Sequence, residues 1–177
     1  INMNKKDFNY LNNLVNRNTK KENNIYQLSP NSFSNSDMIE GIKVLLSKKI
    51  TMSNITKKFE KEFAKFIGSK YALMVNSGSS ANLLATFAMI NPMNKNRLKL
   101  GDECLIPSLC WSTSLWPIVQ AGLRPKFVDV DPKTLNVSLK DLEKKISKKT
   151  KAMIVVNVLG NSTDMHKLKK IINKKKI

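Results

Sequence analysis

After Gly68 the chain alternates short apolar runs with amphipathic stretches, and this rhythm constrains the fold more than any other feature of the sequence. The runs at 71–75, 103–106, 126–128 and 152–156 have the length of strands and lack polar/apolar alternation, as expected of strands covered on both faces. Between and after them, 79–90, 113–121, 138–146 and 163–172 read as helices, with Ser138 placed to cap the third. Strands regularly separated by helices predict right-handed crossovers and an α/β fold with a mostly parallel sheet and flanking helices. The pattern stops after a helix, at Lys174-Lys175-Lys176-Ile177, where another strand is due, so a truncated domain is expected.

Upstream, 37–177 differs from 1–36. The first segment is rich in Asn, Lys and Ser, contains the turn cluster Ser29-Pro30-Asn31-Ser32, and is expected to be a loosely ordered arm or leading helix. From Asp37, a candidate cap, one helix carries Ile39, Ile42, Val44, Leu45 and Leu46. A second, from Ser53 or Asn54, carries Ile55, Phe59, Phe63, Phe66 and Ile67 and ends at Gly68.

The basic balance is large: 31 Lys+Arg against 13 Asp+Glu, a net charge of +18. Only Arg17, Arg97 and Arg124 are arginine, whereas phosphate and base recognition favours the guanidinium fork. The lysines fall in short runs without interleaved aromatics and accompany 21 Asn and 15 Ile, a bias of the kind AT-rich coding produces. A lysine-rich nucleic-acid-binding module is therefore only the outside alternative. No apolar stretch approaches the roughly 20 residues of a membrane span. Two cysteines and one histidine supply neither a disulfide framework nor a zinc site, and no metal is expected. These readings point to a cytoplasmic protein.

Three segments could carry chemistry, each following an apolar run. In Val75-Asn76-Ser77-Gly78-Ser79-Ser80-Ala81-Asn82, Gly78 permits a tight turn, and Ser79 and Ser80 open a helix whose free amides suit a phosphate; ordinary serine capping is the other reading. In Pro107-Ser108-Leu109-Cys110-Trp111-Ser112-Thr113, Trp111 either offers a flat face to a planar ring or packs under its loop with Trp116. Cys110 has no identifiable base and reads as a loop residue. In the segment 156–164, Asn157 lies at the same sheet edge, Ser162 and Asp164 are candidate caps, and His166 is expected to be exposed.

Taken in order, these segments resemble the DegT/DnrJ/StrS family of pyridoxal-phosphate-dependent enzymes. The resemblance runs from about Asp37 to the end, through the lead-in at 59–72, Asn76-Ser77-Gly78-Ser79-Ser80-Ala81, Gly101-Asp102-Glu103, the Trp111 loop, 122–131, 149–154 and Leu159-Gly160-Asn161. It implies the large domain of type I aminotransferases, a homodimer, and amino transfer from glutamate or glutamine to a nucleotide-diphosphate-linked keto sugar in polysaccharide synthesis. An alternative within the family is a deoxysugar 3-dehydratase. Gly78, Ser79 and Ser80 would inherit the cofactor phosphate, and Trp111 the pyridine ring. Asn157 stands where family members often carry histidine and is a possible cofactor or substrate edge. The aspartate for the pyridine nitrogen, and the lysine (histidine in the dehydratase branch) that acts at the cofactor, are expected beyond Ile177. No catalytic residue is therefore assigned here, and the portion is expected to be inactive alone.

Overall fold

The computed structural model describes residues 3–18 and 33–175 and divides into two compact units, Ile1–Met74 and Val75–Ile177. In the first unit lie helices α1 (Lys5–Asn18), α2 (Asn35–Leu46) and α3 (Asn54–Ile67). The cluster Ser29-Pro30-Asn31-Ser32 falls outside the described residues. Asn35 Nδ2 donates to Asn12 Oδ1 at 3.0 Å and Asn16 Oδ1 at 2.7 Å, joining the start of α2 to α1. Ser34, rather than Asp37, caps α2. The Asp37 carboxylate is the other half of a capping box; it accepts first the Ser34 hydroxyl and then the Ser34 N–H, and these bonds hold its pKa below the usual carboxylate range. Ser53 caps α3, and Gly68, at φ 73°, ends it in the left-handed conformation.

The segment 71–75 is not the buried strand its apolar run predicts. It has no ladder partner among the described residues, and Tyr71, Leu73 and Met74 are exposed. Its local bonds are made instead by the Ser69 hydroxyl, which donates to the Tyr71 carbonyl, and by Glu60, which accepts the Met74 N–H at 2.9 Å. Apolar composition marks a segment able to join a sheet; only a hydrogen-bonded neighbour makes it a strand.

The second unit contains α4 (Gly78–Ile90), β1 (Glu103–Pro107), α5 (Ser112–Gln120), β2 (Arg124–Val128), α6 (Leu139–Lys145), β3 (Thr150–Met153) and α7 (Met165–Lys175). The strands form a parallel sheet in the order β2-β1-β3, with Glu103 level with both Arg124 and Thr150. β3 begins and ends earlier than its apolar run suggests; past Met153 only the Ile154 N–H, donated to Leu105, continues toward the sheet.

Central β1 is buried on both sides. Cys104 and Ile106 pack with Ile118, Ala121 and Leu123 on the α5 face, while Leu105 packs with Val128, Val137, Leu142 and Leu168 on the α6 and α7 face. Strand pleating accounts for that division. The second and third of the loops singled out above leave the carboxyl ends of β1 and β3, where open α/β sheets hold ligands.

Candidate functional site

The first loop ends in an N-cap at Ser77. Its Oγ accepts the Ser80 N–H at 3.2 Å, its carbonyl accepts the Ala81 N–H, and its hydroxyl donates to Ser80 Oγ. The cap is thus two residues ahead of Ser79, the first of the two serines expected to open the helix. It leaves the N–H groups of Gly78 and Ser79, which have no acceptor one turn back, at the positive end of α4. Gly78 opens the helix without a left-handed backbone. Its significance is space: a Cβ there would meet nothing within 4 Å.

Trp111 is the N-cap residue of α5 and is 75% exposed, and Trp116 is 55% exposed, so neither forms part of the core. One bond brings the first two loops together. Asn82 Nδ2, one turn into α4, donates to Ser114 Oγ, one turn into α5, at 3.4 Å, with Ser114 buried. The openings of the two helices therefore lie side by side, with the Ser79 and Ser80 donors at one and the Trp111 indole at the other. Asn82 carries no motif of its own; the signal was its place on the same helical face as Ser79, three residues on.

The third loop has a different construction. Asn157 Oδ1 accepts the Thr163 N–H at 3.0 Å, closing the loop on itself around a single 3-10 turn, Val158–Gly160. Asp164 caps α7 by accepting the Lys167 N–H, and that bond lowers its pKa. Ser162 is not a cap, since its hydroxyl donates to the neighbouring Thr163 carbonyl. His166 is exposed in the first turn of α7, as expected.

Neither thiol has the environment of a nucleophile. Burial raises the pKa of Cys110 and pushes that of Cys104 up to about 11. No group of three His, Cys, Asp or Glu able to hold a metal occurs among the described residues, and none of the described helices is long and apolar enough to cross a membrane. What the first two loops offer is a set of neutral N–H and O–H donors at a helix start, with open space before Gly78 and a flat aromatic face alongside. That donor set fits a phosphate ester carried on a planar ring.

The sequence profile of the DegT/DnrJ/EryC1/StrS aminotransferase family matches residues 33–177. GDP-4-keto-6-deoxy-D-mannose 3-dehydratase of Escherichia coli is 48% identical over 129 residues, 73% of this chain and 33% of that protein. GDP-perosamine synthase of Vibrio cholerae is 36% identical over 63% of this chain and 29% of its own length. Among solved structures, the E. coli GDP-4-keto-6-deoxy-D-mannose-3-dehydratase with bound hydrated PLP superposes with a TM-score of 0.80 at 43% identity, covering 86% of this chain and 39% of that one. The chain thus spans about a third of the length of the curated relatives it matches.

Proposed function

We propose that this chain, which belongs to the DegT/DnrJ/EryC1/StrS aminotransferase family, supplies the phosphate-holding and ring-stacking part of a pyridoxal 5'-phosphate site in an enzyme acting on a nucleotide-linked keto sugar. The Asn82–Ser114 bond carries the reading, because it sets the α4 donors beside Trp111. The N–H groups of Gly78 and Ser79 and the hydroxyls of Ser79 and Ser80 would hold the phosphate against the positive helix end. Trp111 would cover one face of the ring, and Asn157 would stand at its edge or the sugar's. When bound, the cofactor supplies an electron-withdrawing ring that eases bond breaking at the carbon next to its attached nitrogen.

For the substrate we favour a GDP-linked 4-keto-6-deoxy sugar and removal of its 3-hydroxyl. Support comes from similarity: two 3-dehydratases match at 48% and 44% identity, and the Vibrio cholerae perosamine synthase at 36%. Amination, with glutamate or glutamine as donor, is the second reading, supported by the perosamine synthases and by the name of the family. A cytoplasmic homodimer belongs to the same reading. In its support, both cysteines are free, and α4, which is apolar around much of its circumference, leaves Leu83, Leu84 and Phe87 exposed.

The site is tested by titrating the protein with pyridoxal phosphate while following near-visible absorbance and tryptophan fluorescence. Ser79→Ala and Trp111→Ala should each weaken binding about tenfold, the value of one good hydrogen bond or stacking contact. Unchanged affinity in both would sink the assignment. Incubation of the enzyme to which this chain contributes with the GDP-linked 4-keto sugar and glutamate, followed by mass analysis, separates a deoxygenated keto product from an amino sugar.

A further inference from the structure

The loop after β3 is held by a side chain from the loop after β2. Asn136, 3% exposed, accepts the Val158 N–H at Oδ1 (3.0 Å) and donates from Nδ2 to the Asn161 carbonyl (2.9 Å). Asn161 Nδ2 donates back to the Thr134 carbonyl at 3.4 Å. One buried carboxamide therefore grips both ends of the 3-10 turn, including Leu159, which sits at φ 53° in the left-handed region.

The same loop fixes the orientation of Asn157. A backbone N–H can only donate, so the group facing Thr163 must be the Asn157 oxygen, and Nδ2 is the end left over. Nδ2 has no partner among the described residues, and Asn157 is exposed. Because β1 is the central strand, the loops after β2 and β3 flank the loop that leads to Trp111.

We propose that Asn136 is a positioning residue: it locks the loop after β3 so that Asn157 presents a fixed N–H donor to an oxygen of the bound cofactor or of the sugar. The proposal rests on the pyridoxal-phosphate reading above. A carboxamide does not titrate near neutrality, so this contact is independent of pH, unlike one made by an imidazole at the same position.

Four variants test it. Asn136→Ala removes the grip. Asn136→Ser stays neutral and keeps at most one of the two bonds. Asn157→Asp keeps the acceptor for Thr163 and turns the outward donor into an anionic acceptor. Asn157→His replaces the carboxamide by a titrating ring. Two readouts are followed: amide hydrogen exchange at Val158 and Thr163, and affinity for pyridoxal phosphate alone, then for a GDP-linked hexose in its presence.

Asn136→Ala should speed exchange at both amides and weaken one of the two ligands about tenfold, with Asn136→Ser showing the same loss in smaller measure should the alanine variant not fold. Asn157→Asp should leave Val158 exchange unchanged and weaken the same ligand; which ligand responds tells whether the oxygen belongs to the cofactor or the sugar. Asn157→His should make that affinity depend on pH, with a midpoint near about 6.5. Faster exchange in the Asn136 variants with both affinities unchanged would reduce Asn136 to a structural clamp and overturn the proposal, as would unchanged affinity in Asn157→Asp. If the unaltered protein binds no pyridoxal phosphate, the underlying reading fails and this one with it. Normal binding by the unaltered protein with unresponsive variants removes this inference alone.

Discussion

Glu103, at the start of the central strand, accepts hydrogen bonds from Ser147 Oγ at 2.6 Å, Thr150 Oγ1 at 3.3 Å and Lys126 Nζ at 3.4 Å. The Ser147 bond does most to hold its pKa below the usual carboxylate range, with Lys126 adding to it. A carboxylate whose pKa is depressed by folding stabilises the native state above its unfolded pKa and loses that contribution as pH falls through the folded value. Glu103→Gln should therefore cost about 1 kcal/mol in denaturant unfolding at pH 7, and the gap to the unaltered protein should narrow as pH falls below about 4.5. A gap that stays constant to pH 3 would remove the charge from the explanation. At this scale the sequence was informative where one residue type has one job: Ser138 and Gly68 cap as expected. It placed Asn82 on the Ser79 face of its helix but not its partner 32 residues away, and it was mute on Asn136, whose partners lie 22–25 residues away.

Among elements, the glycines that follow α3 and α5 have different surroundings. Gly68 needs only its left-handed backbone, since an added Cβ would meet nothing within 4 Å. Gly122, at φ 71°, would also drive a Cβ into the Leu100 side chain. Both Gly68→Ala and Gly122→Ala should cost about 1 kcal/mol for the left-handed backbone, as read by thermal unfolding, because the Leu100 side chain that the second would meet is 84% exposed and can turn away. Leu105→Ala should cost about 2–5 kcal/mol, because Leu105 is 1% exposed within the α6 and α7 core cluster. A clearly larger cost for Gly122→Ala would show that Leu100 does not move aside freely. Helix positions and the parallel character of the sheet were legible because amphipathic spacing and two-faced burial are local properties of the chain. The segment 71–75 misled because an apolar run records affinity for a sheet without naming its neighbour.

For the molecule as a whole, charge and topology lead in separate directions. Six lysines take part in ion pairs among the described residues, Lys43, Lys58, Lys126, Lys145, Lys167 and Lys174, against a net charge of +18. Raising ionic strength from about 0.01 M to 0.15 M shortens the screening length from about 30 Å to 8 Å, so the melting temperature should rise over that range as self-repulsion fades. Tight binding to duplex DNA at the low-salt end, lost steeply across the same titration, would restore the nucleic-acid reading instead. The strand order has a kinetic consequence. β1 finds neither neighbour until later chain exists, and Arg124 lies less than half as far from Glu103 along the chain as Thr150 does. Closing the shorter loop loses less chain entropy, so β1–β2 pairing should precede β1–β3 in refolding, and the edge that receives β3 is the last part of the sheet to become protected from solvent.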